Sequence, residues 1–302
     1  MKKIAVATLL GFFLHWSQLA VAGEDRPEKN ALVLQADFAG LVMTGVAYSV
    51  SKELDLFNVR PLIPLYDIRA ASRSLTYNAQ TWPEGTVFVS VVDPGVGTAR
   101  KSVVLKAKNG LYFVSPDNGS LSGPAEAYGI EAVREIDESV NRRPGSEWSH
   151  TFHGRDVYSY TGARLAAGVI SFEEVGPLRD PQVIMLERMS GRLDDDILYG
   201  NVKGGTGRLG NIELSVDRRL FAGVKAAYGD LFDVTIRKGD SLVWKGSVPY
   251  VKSFGDVPVG DNLLFVNSSG DVSIAINQGS FAATFGIGSG PKWTVRLSKS
   301  RN

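Results

Sequence analysis

An acid, an arginine and a histidine stand where side chains could do chemistry on a small molecule. Asp93 directly follows the apolar run 86–92, Arg100 comes shortly after it, and His153 precedes a helix-like stretch. Carboxylate and imidazole groups transfer protons, and arginine keeps a positive charge that can stabilise an anion. These residue types favour a small-molecule site centred on Asp93, Arg100 and His153.

The stretch VVDPGVGTAR at 91–100 gives the most specific local pattern. In open α/β sheets, ligands bind outside the carboxyl ends of strands, which is where Asp93 falls, and glycines let a ligand approach the backbone closely. The same letters also fit an ordinary Asp-Pro-Gly turn. They do not form a phosphate-binding P-loop, because no Gly-Lys-Ser/Thr follows.

Other polar stretches are ambiguous when taken singly. His153, within FHGRD at 152–156, could face a ligand at a helix N-terminus, although a lone histidine there is more often a surface or capping residue. The stretches 115–119, 210–211 and 267–270 fit simple turns. These stretches therefore indicate a functional site only if they occur together as one set of motifs.

The elements that must position these residues change in character along the chain. In the first half, β-branched runs alternate with helix-like spacing, which predicts a largely parallel sheet covered by helices. Asp67 is placed to cap the second helix, and Asp156 to open the third. The predicted strands are 31–35, 86–92, 102–107 and 111–114, and the predicted helices are 41–54, 67–80 and 157–167.

After about residue 190, short β-prone runs separated by Gly, Asp and Ser predict a small all-β, barrel-like domain. The predicted strands are 212–216, 234–236, 242–244, 263–266, 272–276 and 293–297. The stretch 176–181 is a candidate linker. We therefore predict an N-terminal α/β domain at 23–188 and a C-terminal domain at 189–302.

Residues 1–22 have the pattern of a signal peptide. Lys2 and Lys3 precede the apolar run 4–14, and Ala20-Val21-Ala22 fits a cleavage site, so we expect a periplasmic or secreted protein cleaved after Ala22. An uncleaved anchor is the alternative. No later stretch is long and apolar enough to span a bilayer, so we expect no membrane contact after cleavage.

Composition excludes several classes of function. Without residues 1–22, 31 basic residues face 32 acidic ones, and no basic cluster indicates nucleic-acid binding. The absence of cysteine excludes thiol catalysis and Cys-ligated metals. His150 and His153 could not alone hold zinc in the usual way, so we expect no metal and no cofactor.

Taken together, the motifs resemble the S-adenosyl-L-methionine (SAM) hydroxide adenosyltransferase family, the SAM hydrolases, which are related to bacterial fluorinase and chlorinase. The matching segments follow the family order over nearly the whole chain beyond residue 22. They are ADF at 36–38, MTGV at 43–46, PEGTV at 83–87, VVDPGVGTAR at 91–100, YFVSPDNGSL at 112–121, FHGRD at 152–156, RLGNIE at 208–213, VNSSG at 266–270 and INQGS at 276–280.

This resemblance implies that water attacks the ribose C5′ of SAM, giving adenosine and methionine without a cofactor. It places the catalytic set on Asp93, Arg100 and His153: Asp93 accepts the proton, Arg100 stabilises developing hydroxide, and His153 positions the water or shares its proton. Halogenation is not expected, because it would need a halide pocket. The resemblance also implies a homotrimer, with each ligand held between one subunit's N-terminal domain and its neighbour's C-terminal domain.

The resemblance implies further contacts with a nucleoside-type substrate. Asp37 would bind the ribose hydroxyls and Asn211 the amino acid end of methionine. Ser268, Ser269 and Asn277 would lie near that end or near the adenine.

Some positions depart from the family pattern, mainly on the methionine side. The loop after Asp37 is short, Thr44 replaces a lysine, and Thr206 or Gly207 stands in place of an acid. These departures leave two alternatives to SAM hydrolysis. One is an exported hydrolase of another nucleoside or adenosyl compound with a different leaving group; the other is a non-catalytic periplasmic nucleoside-binding protein.

Overall fold

A computed structural model describes residues 30–205 and 209–300. The first part of the chain forms a seven-stranded sheet in the order β2-β1-β3-β5-β4-β6-β7. Its strands are β1 (Leu32–Ala36), β2 (Leu56–Asn58), β3 (Val87–Val91), β4 (Ser102–Ala107), β5 (Tyr112–Pro116), β6 (Ile130–Glu135) and β7 (Leu178–Arg179).

The sheet is mixed. Strands β2, β1, β3 and β5 run parallel, whereas β4 pairs antiparallel with β5 and β6, and β6 pairs antiparallel with β7. The carboxyl ends of β1 and β3 meet at one edge, where Ala36 pairs with Val91. This register brings Asp37 and Asp93 to the same edge of the sheet.

Helices cover both faces of this sheet. They are α1 (Leu41–Val50), α2 (Ile68–Ala79), α3 (Ser122–Tyr128) and α4 (Ser159–Ala166), and a π-helical turn (Gly154–Tyr158) leads into α4. Leu32 and Leu34 point into the core beneath α1 and α4, whereas Val33 points into the core beneath α2 and α3. A sheet buried on both faces explains why its strands are apolar runs without alternation.

Local sequence accounts for two of these helices. The side chain of Asp67 accepts a hydrogen bond from the backbone N–H of Ala70 at 2.8 Å, which confirms the predicted cap of α2. In α4, Gly162 packs so closely on β3 that an added Cβ would lie 2.3 Å from Val89. The predicted opening of this helix by Asp156 is wrong, because Asp156 lies inside the π-helical turn.

The second part of the chain forms an antiparallel sheet in the order β12-β11-β15-β9-β10-β14-β13, with β8 also paired to β9. A bridge between Tyr250 and Leu264 nearly closes it into a barrel. Its strands are β8 (Arg192–Asp194), β9 (Ile197–Gly205), β10 (Ile212–Asp217), β11 (Leu231–Lys238), β12 (Ser241–Pro249), β13 (Asn262–Val266), β14 (Asp271–Ile276) and β15 (Trp293–Lys299), and its short helices are α5 (Arg218–Ala222) and α6 (Phe281–Phe285).

This architecture confirms the predicted fold class, an α/β part followed by an all-β barrel-like part. The two sheets occupy 32–179 and 192–299, and the domain boundary between 188 and 189 stays a prediction. The proposed signal segment, 1–22, lies outside the described residues. Within the described ranges, no helix is long and apolar enough to cross a membrane.

Candidate functional site

Asp93 and Arg100 form a tightly held ion pair beyond the end of β3. Arg100 Nη2 lies 2.7 Å from Asp93 Oδ2, and Arg100 Nε donates to both carboxylate oxygens at 3.0 and 3.1 Å. Their side chains are 10% and 6% exposed. Each carboxylate oxygen has two lone pairs, so the Asp93 carboxylate can still accept a proton from a bound molecule while it is paired with Arg100.

The turn between these two residues is built to hold them together. Asp93 O accepts the N–H of Val96, the Thr98 hydroxyl donates to Gly95 O at 2.6 Å, and Gly97 adopts a positive φ of 80°. Glycine suits that left-handed backbone because it has no Cβ. The Asp-Pro-Gly turn therefore carries both charged residues of the candidate site.

Asn118, in the PDNG stretch, supports the same turn from the next strand. Its side-chain amide donates to the carbonyl of Val92 at 2.9 Å, directly before Asp93. The neighbouring Asp117 accepts the N–H of Ile184 at 2.7 Å. This stretch therefore has a structural role close to the site.

His153 is nearly buried, with 8% of its surface exposed, and contacts a carboxylate that the sequence patterns did not single out. Its Nε2 lies 3.5 Å from Glu138 Oε2, and Arg142 Nη2 lies 2.5 Å from the same oxygen. Hydrogen bonding to His153 and Arg142 outweighs the effect of burial and lowers the pKa of Glu138 to about 2. Nδ1 of His153 is buried without a hydrogen-bond partner among the described residues.

Ser102 connects the ion pair to Glu138, the carboxylate beside His153, and Tyr158 contacts the same serine hydroxyl. Arg100 Nη1 donates to the Ser102 hydroxyl at 3.0 Å, and that hydroxyl lies 3.1 Å from the Tyr158 hydroxyl and 3.4 Å from Glu138 Oε1. Tyr158 is fully buried, which raises its pKa, so it stays a neutral donor. The structure thus brings Asp93, Arg100 and His153 into one hydrogen-bonded network.

The π-helical turn after His153 is fixed by a buried acid. Asp156 accepts two hydrogen bonds from Arg155, both at 2.7 Å, and one from Arg143 at 3.2 Å. Burial alone would raise the pKa of Asp156, but these hydrogen bonds hold it below its usual value. Single π-helical turns are frequent at functional sites, and this one begins directly after His153.

Asp37 reaches this edge from β1. Its backbone N–H donates to Val91 O at 3.3 Å, and its Oδ2 accepts the N–H of Tyr66 at 2.9 Å. The next residue, Phe38, packs edge-on against Phe152 with ring centroids 5.4 Å apart. Asp37 therefore lies beside the segment that carries His153.

Two of the predicted binding residues lie at one end of the barrel. Asn211 directly precedes β10 and is 5% exposed, and Asn277 directly follows β14 and donates to Val257 O at 2.9 Å. Gly210 has a positive φ of 67° and packs against Ser280, where a Cβ would clash at 1.9 Å. Only glycine fits there, so Gly210 fixes the direction in which the chain enters Asn211.

Ser268 and Ser269 lie at the other end of β14, in the exposed turn after β13. Asn267 shapes this turn, since its Oδ1 accepts the N–H groups of Ser269 and Asp271 at 2.9 and 3.1 Å. A ligand that contacts both ends must span roughly 20 Å of strand. Within the described ranges, no hydrogen bond or ion pair joins Asn211, Ser268, Ser269 or Asn277 to the Asp93 network.

Glu138, Arg142, Ser102 and Tyr158 are the network residues that sequence reasoning missed. A buried carboxylate–guanidinium pair beside a histidine is suited to binding a polar molecule and moving its proton. In the described part of the chain, no cluster of three or more His, Asp or Glu side chains could hold a metal ion.

Fold and site together define a two-domain α/β-plus-barrel protein with an Asp–Arg–His network at the carboxyl edge of its first sheet. Two family models match the chain: the SAM hydroxide adenosyltransferase N-terminal domain over residues 32–176, and the C-terminal domain over 208–294. The chain belongs to the SAM hydroxide adenosyltransferase family.

Several proteins of known name are similar to this chain over most of its length. An (R)-S-adenosyl-L-methionine hydrolase of Salinispora tropica is 34% identical, covering 83% of this chain and 90% of its own. A hydrolase of the same name from Thermus thermophilus is 32% identical, and the match covers 76% of this chain and 82% of the relative. A fluorinase of Actinopolyspora mzabensis is 25% identical, and the match covers 85% of this chain and 91% of the relative.

The solved structures agree with the fold. A conserved protein of Thermotoga maritima superimposes with a TM-score of 0.78 at 28% identity, covering 89% of this chain and all of its own. The mixed sheet with its helices and the barrel-like sheet are both included in this match.

Proposed function

We propose that this protein is an enzyme that hydrolyses SAM to adenosine and methionine. The observation that carries the proposal is the buried Asp93–Arg100 pair, linked through Ser102 and Glu138 to His153. Relatives named as SAM hydrolases, 32–34% identical over most of the chain, support the substrate.

The reaction is a displacement at the ribose C5′. The oxygen of water forms a bond to C5′ while the C5′–S bond breaks, and the bonding electron pair goes to the sulfonium sulfur, which leaves as the neutral thioether of methionine. A neutral leaving group needs little assistance. The enzyme must therefore hold a water in line with the C–S bond and take its proton.

The network supplies groups for both tasks. Asp93 accepts the proton, and Arg100 beside it stabilises the negative charge that develops on the attacking oxygen. Since Arg100 is fixed by Asp93 and Ser102, little reorganisation is needed when that charge appears. His153 positions the water, and Asp37 accepts hydrogen bonds from the ribose hydroxyls.

The test is a product assay with purified protein. SAM has two sulfonium epimers, and each should be supplied separately, because the related hydrolases are named for the (R) form. Chromatography should show adenosine and methionine in equal amounts, and Asp93→Asn should lower the rate by about 10²–10⁴ while the protein still binds adenosine. Equal rates in wild type and Asp93→Asn would remove Asp93 from the chemistry.

A related adenosyl compound with another leaving group is the second candidate. Only three residues, Phe38 to Gly40, separate Asp37 from α1, which leaves a short loop on the side that would hold the methionine end. If neither SAM epimer is cleaved but adenosine binds by calorimetry, this candidate or a binding role replaces SAM hydrolysis. If adenosine does not bind either, both proposals fail.

We further propose that the protein is a homotrimer whose sites lie between subunits. Two observations support it. Asn211 and Asn277 lie on the barrel, with no hydrogen bond or ion pair to the Asp93 network in the described ranges. Next to Asp37, the apolar side chains of Leu65 and Tyr66 are about 70% exposed, as expected of a surface that another subunit covers.

Mixing inactive variants tests this shared-site arrangement. Asp93→Asn and Asn211→Ala, each inactive alone, should regain part of the wild-type activity when unfolded and refolded together, because some sites then combine two intact halves. Light scattering should give three times the mass of one chain. Monomeric protein with full activity would contradict the proposal.

The pattern of residues 1–22 supports export to the periplasm or beyond. Expression of the full chain in a Gram-negative host should place the protein in the periplasmic fraction, with an N-terminus at Gly23. Uncleaved protein in the membrane fraction would favour an anchor instead.

A further inference from the structure

A concave, positively charged surface lies on the outside of the barrel, far along the chain from the residues of the Asp93 network. The cavity has a volume of about 420 Å³ and is formed where strands β8, β9, β15 and β11 lie side by side. Arg192, Arg237 and Arg296 line it, and none of its lining residues is an Asp or Glu. We call this cavity the arginine pocket.

The register of the four strands explains why these side chains meet. Arg192 pairs with Tyr199, Tyr199 with Arg296, and Arg296 with Thr235, so they form one row across the sheet. Directly opposed residues on adjacent strands have Cβ atoms about 5 Å apart.

The next row on the same face is polar as well. Asn201 pairs with Thr294, and Thr294 with Arg237. Because side chains alternate between the two faces of a strand, both rows point outward while Val202, Val295 and Ile236 fill the barrel core. The arginine pocket is therefore a consequence of the sheet's register and not of loose surface side chains.

Two of the three positive charges in the arginine pocket lack a countercharge. Arg237 Nη1 donates to the carbonyl of Asp240 at 2.8 Å, and Arg296 Nη1 to the hydroxyl of Ser298 at 3.3 Å; both acceptors are neutral. In the described part of the chain, neither guanidinium forms a salt bridge. Arg192 does pair with Asp194, at 2.9 Å, and it stacks on the Tyr199 ring at 4.0 Å.

These contacts leave most guanidinium donors free. Each guanidinium carries five N–H donors in a planar fork, which matches the oxygens of a phosphate two at a time. The three guanidinium groups are close together, and only that of Arg192 has a countercharge, so they repel one another. A bound dianion would relieve that repulsion. The hydroxyls of Thr235 and Thr294 add neutral donors beside them.

We propose that the arginine pocket binds the phosphate group of a small phosphorylated molecule. Its volume lies in the range of about 300–1,000 Å³ that is usual for small-molecule sites, so it has room for more than the phosphate alone. A carboxylate would satisfy only one guanidinium fork, whereas a phosphomonoester offers enough oxygens and charge for two or three. This site shares no residue with the proposed SAM site.

Titration calorimetry of the purified protein with glycerol 3-phosphate and with inorganic phosphate tests the proposal. Saturable binding with one site per chain is expected for the ester. Arg237→Gln and Arg296→Gln should each weaken it by at least about tenfold, the usual effect of losing a charge-assisted hydrogen-bond pair. Arg219→Gln is the matched control, since Arg219 is an exposed arginine of α5 outside the pocket.

Two further comparisons distinguish specific phosphate binding in the arginine pocket from non-specific electrostatic binding of phosphate to the protein surface. Arg237→Lys keeps the charge but loses the fork, so binding should fall between wild type and Arg237→Gln. Circular dichroism should show unchanged unfolding temperatures for all variants, because these side chains point outward. Binding that is not saturable, or that Arg219→Gln weakens as much as Arg296→Gln, would overturn the proposal.

Discussion

The carboxylate of Glu138 lies 3.5 Å from Nε2 of His153, and this contact orients the histidine of the network. Arg142 holds the same carboxylate oxygen at 2.5 Å and also donates to Ser149 O at 3.1 Å. With Nε2 next to Glu138, Nδ1 is the nitrogen left without a partner among the described residues. The histidine ring is thus oriented by a carboxylate that is itself oriented by an arginine.

Replacing Glu138 by Gln should lower kcat for SAM hydrolysis by about tenfold to a hundredfold, the size of the loss seen when a carboxylate that orients a metal-bound histidine is removed. KM should change little, because Glu138 orients His153 rather than the substrate. Steady-state kinetics measures both values. Glu131→Gln is the matched control, as Glu131 of β6 pairs with Lys106 of β4 in a partly exposed ion pair outside the network and should leave kcat unchanged.

The stability of the protein should depend on Glu138 in acid. The folded-state pKa of Glu138 is about 2, below the value near 4.3 of an unfolded glutamate, so its stabilising contribution is present above pH 4.3 and is lost as pH falls toward 2. Urea unfolding at pH 7 should show wild type more stable than Glu138→Gln. The difference should shrink between pH 4.5 and about 2.5; a constant difference would contradict an ionised Glu138.

Arg100→Lys should retain the charge but not the three hydrogen bonds to Asp93 and the one to Ser102. A lysine ammonium cannot reproduce the planar fork. We expect kcat to fall by about 10²–10³, comparable to the loss of one preorganised donor. Single-turnover kinetics separates this loss from binding, and Arg179→Lys, at the sheet edge, should retain wild-type rates.

Close packing of α4 on β3 can be tested with Gly162→Ala. The new Cβ would lie 2.3 Å from Val89 Cγ2, so α4 must move, which should destabilise the protein by about 1–3 kcal/mol in urea unfolding. Gly45→Ala in α1 is the matched control. Nothing lies within 4 Å of that Cβ, so this variant should be as stable as wild type or up to about 1 kcal/mol more stable.

The sequence was sufficient to predict the fold class, and it identified Asp93 and Arg100 as site candidates within one turn-like stretch after a β-branched strand. The ion pair between their side chains is a finding of the structure. The cap Asp67 was predictable from the local sequence. His153 was recognised through the FHGRD motif.

Glu138 could not be predicted, since it stands in a loop after β6 and meets His153 only through the fold. The predicted linker at 176–181 contains Leu178–Arg179, which pair with β6 as an edge strand. Strand β9 was missed because Gly200, Asn201 and Gly204 weaken its local preference, yet pairing with β10 and β15 on both sides stabilises it.

The antiparallel direction of β4 also follows from the sequence, although the alternation of strands and helices favours a parallel sheet. Only four residues, 108–111, connect β4 to β5. A parallel crossover needs a dozen residues or more, so this connection permits only a hairpin. The length of a connection therefore predicts strand direction better here than the alternation of strands and helices.

The central claim, that water attacks C5′ of SAM, is tested most directly by hydrolysis in ¹⁸O-labelled water. Mass spectrometry of the products should find one ¹⁸O in the 5′-hydroxyl of adenosine and none in methionine, because the new C–O bond forms at C5′. Unlabelled adenosine, or cleavage products other than adenosine and methionine, would contradict the proposed reaction.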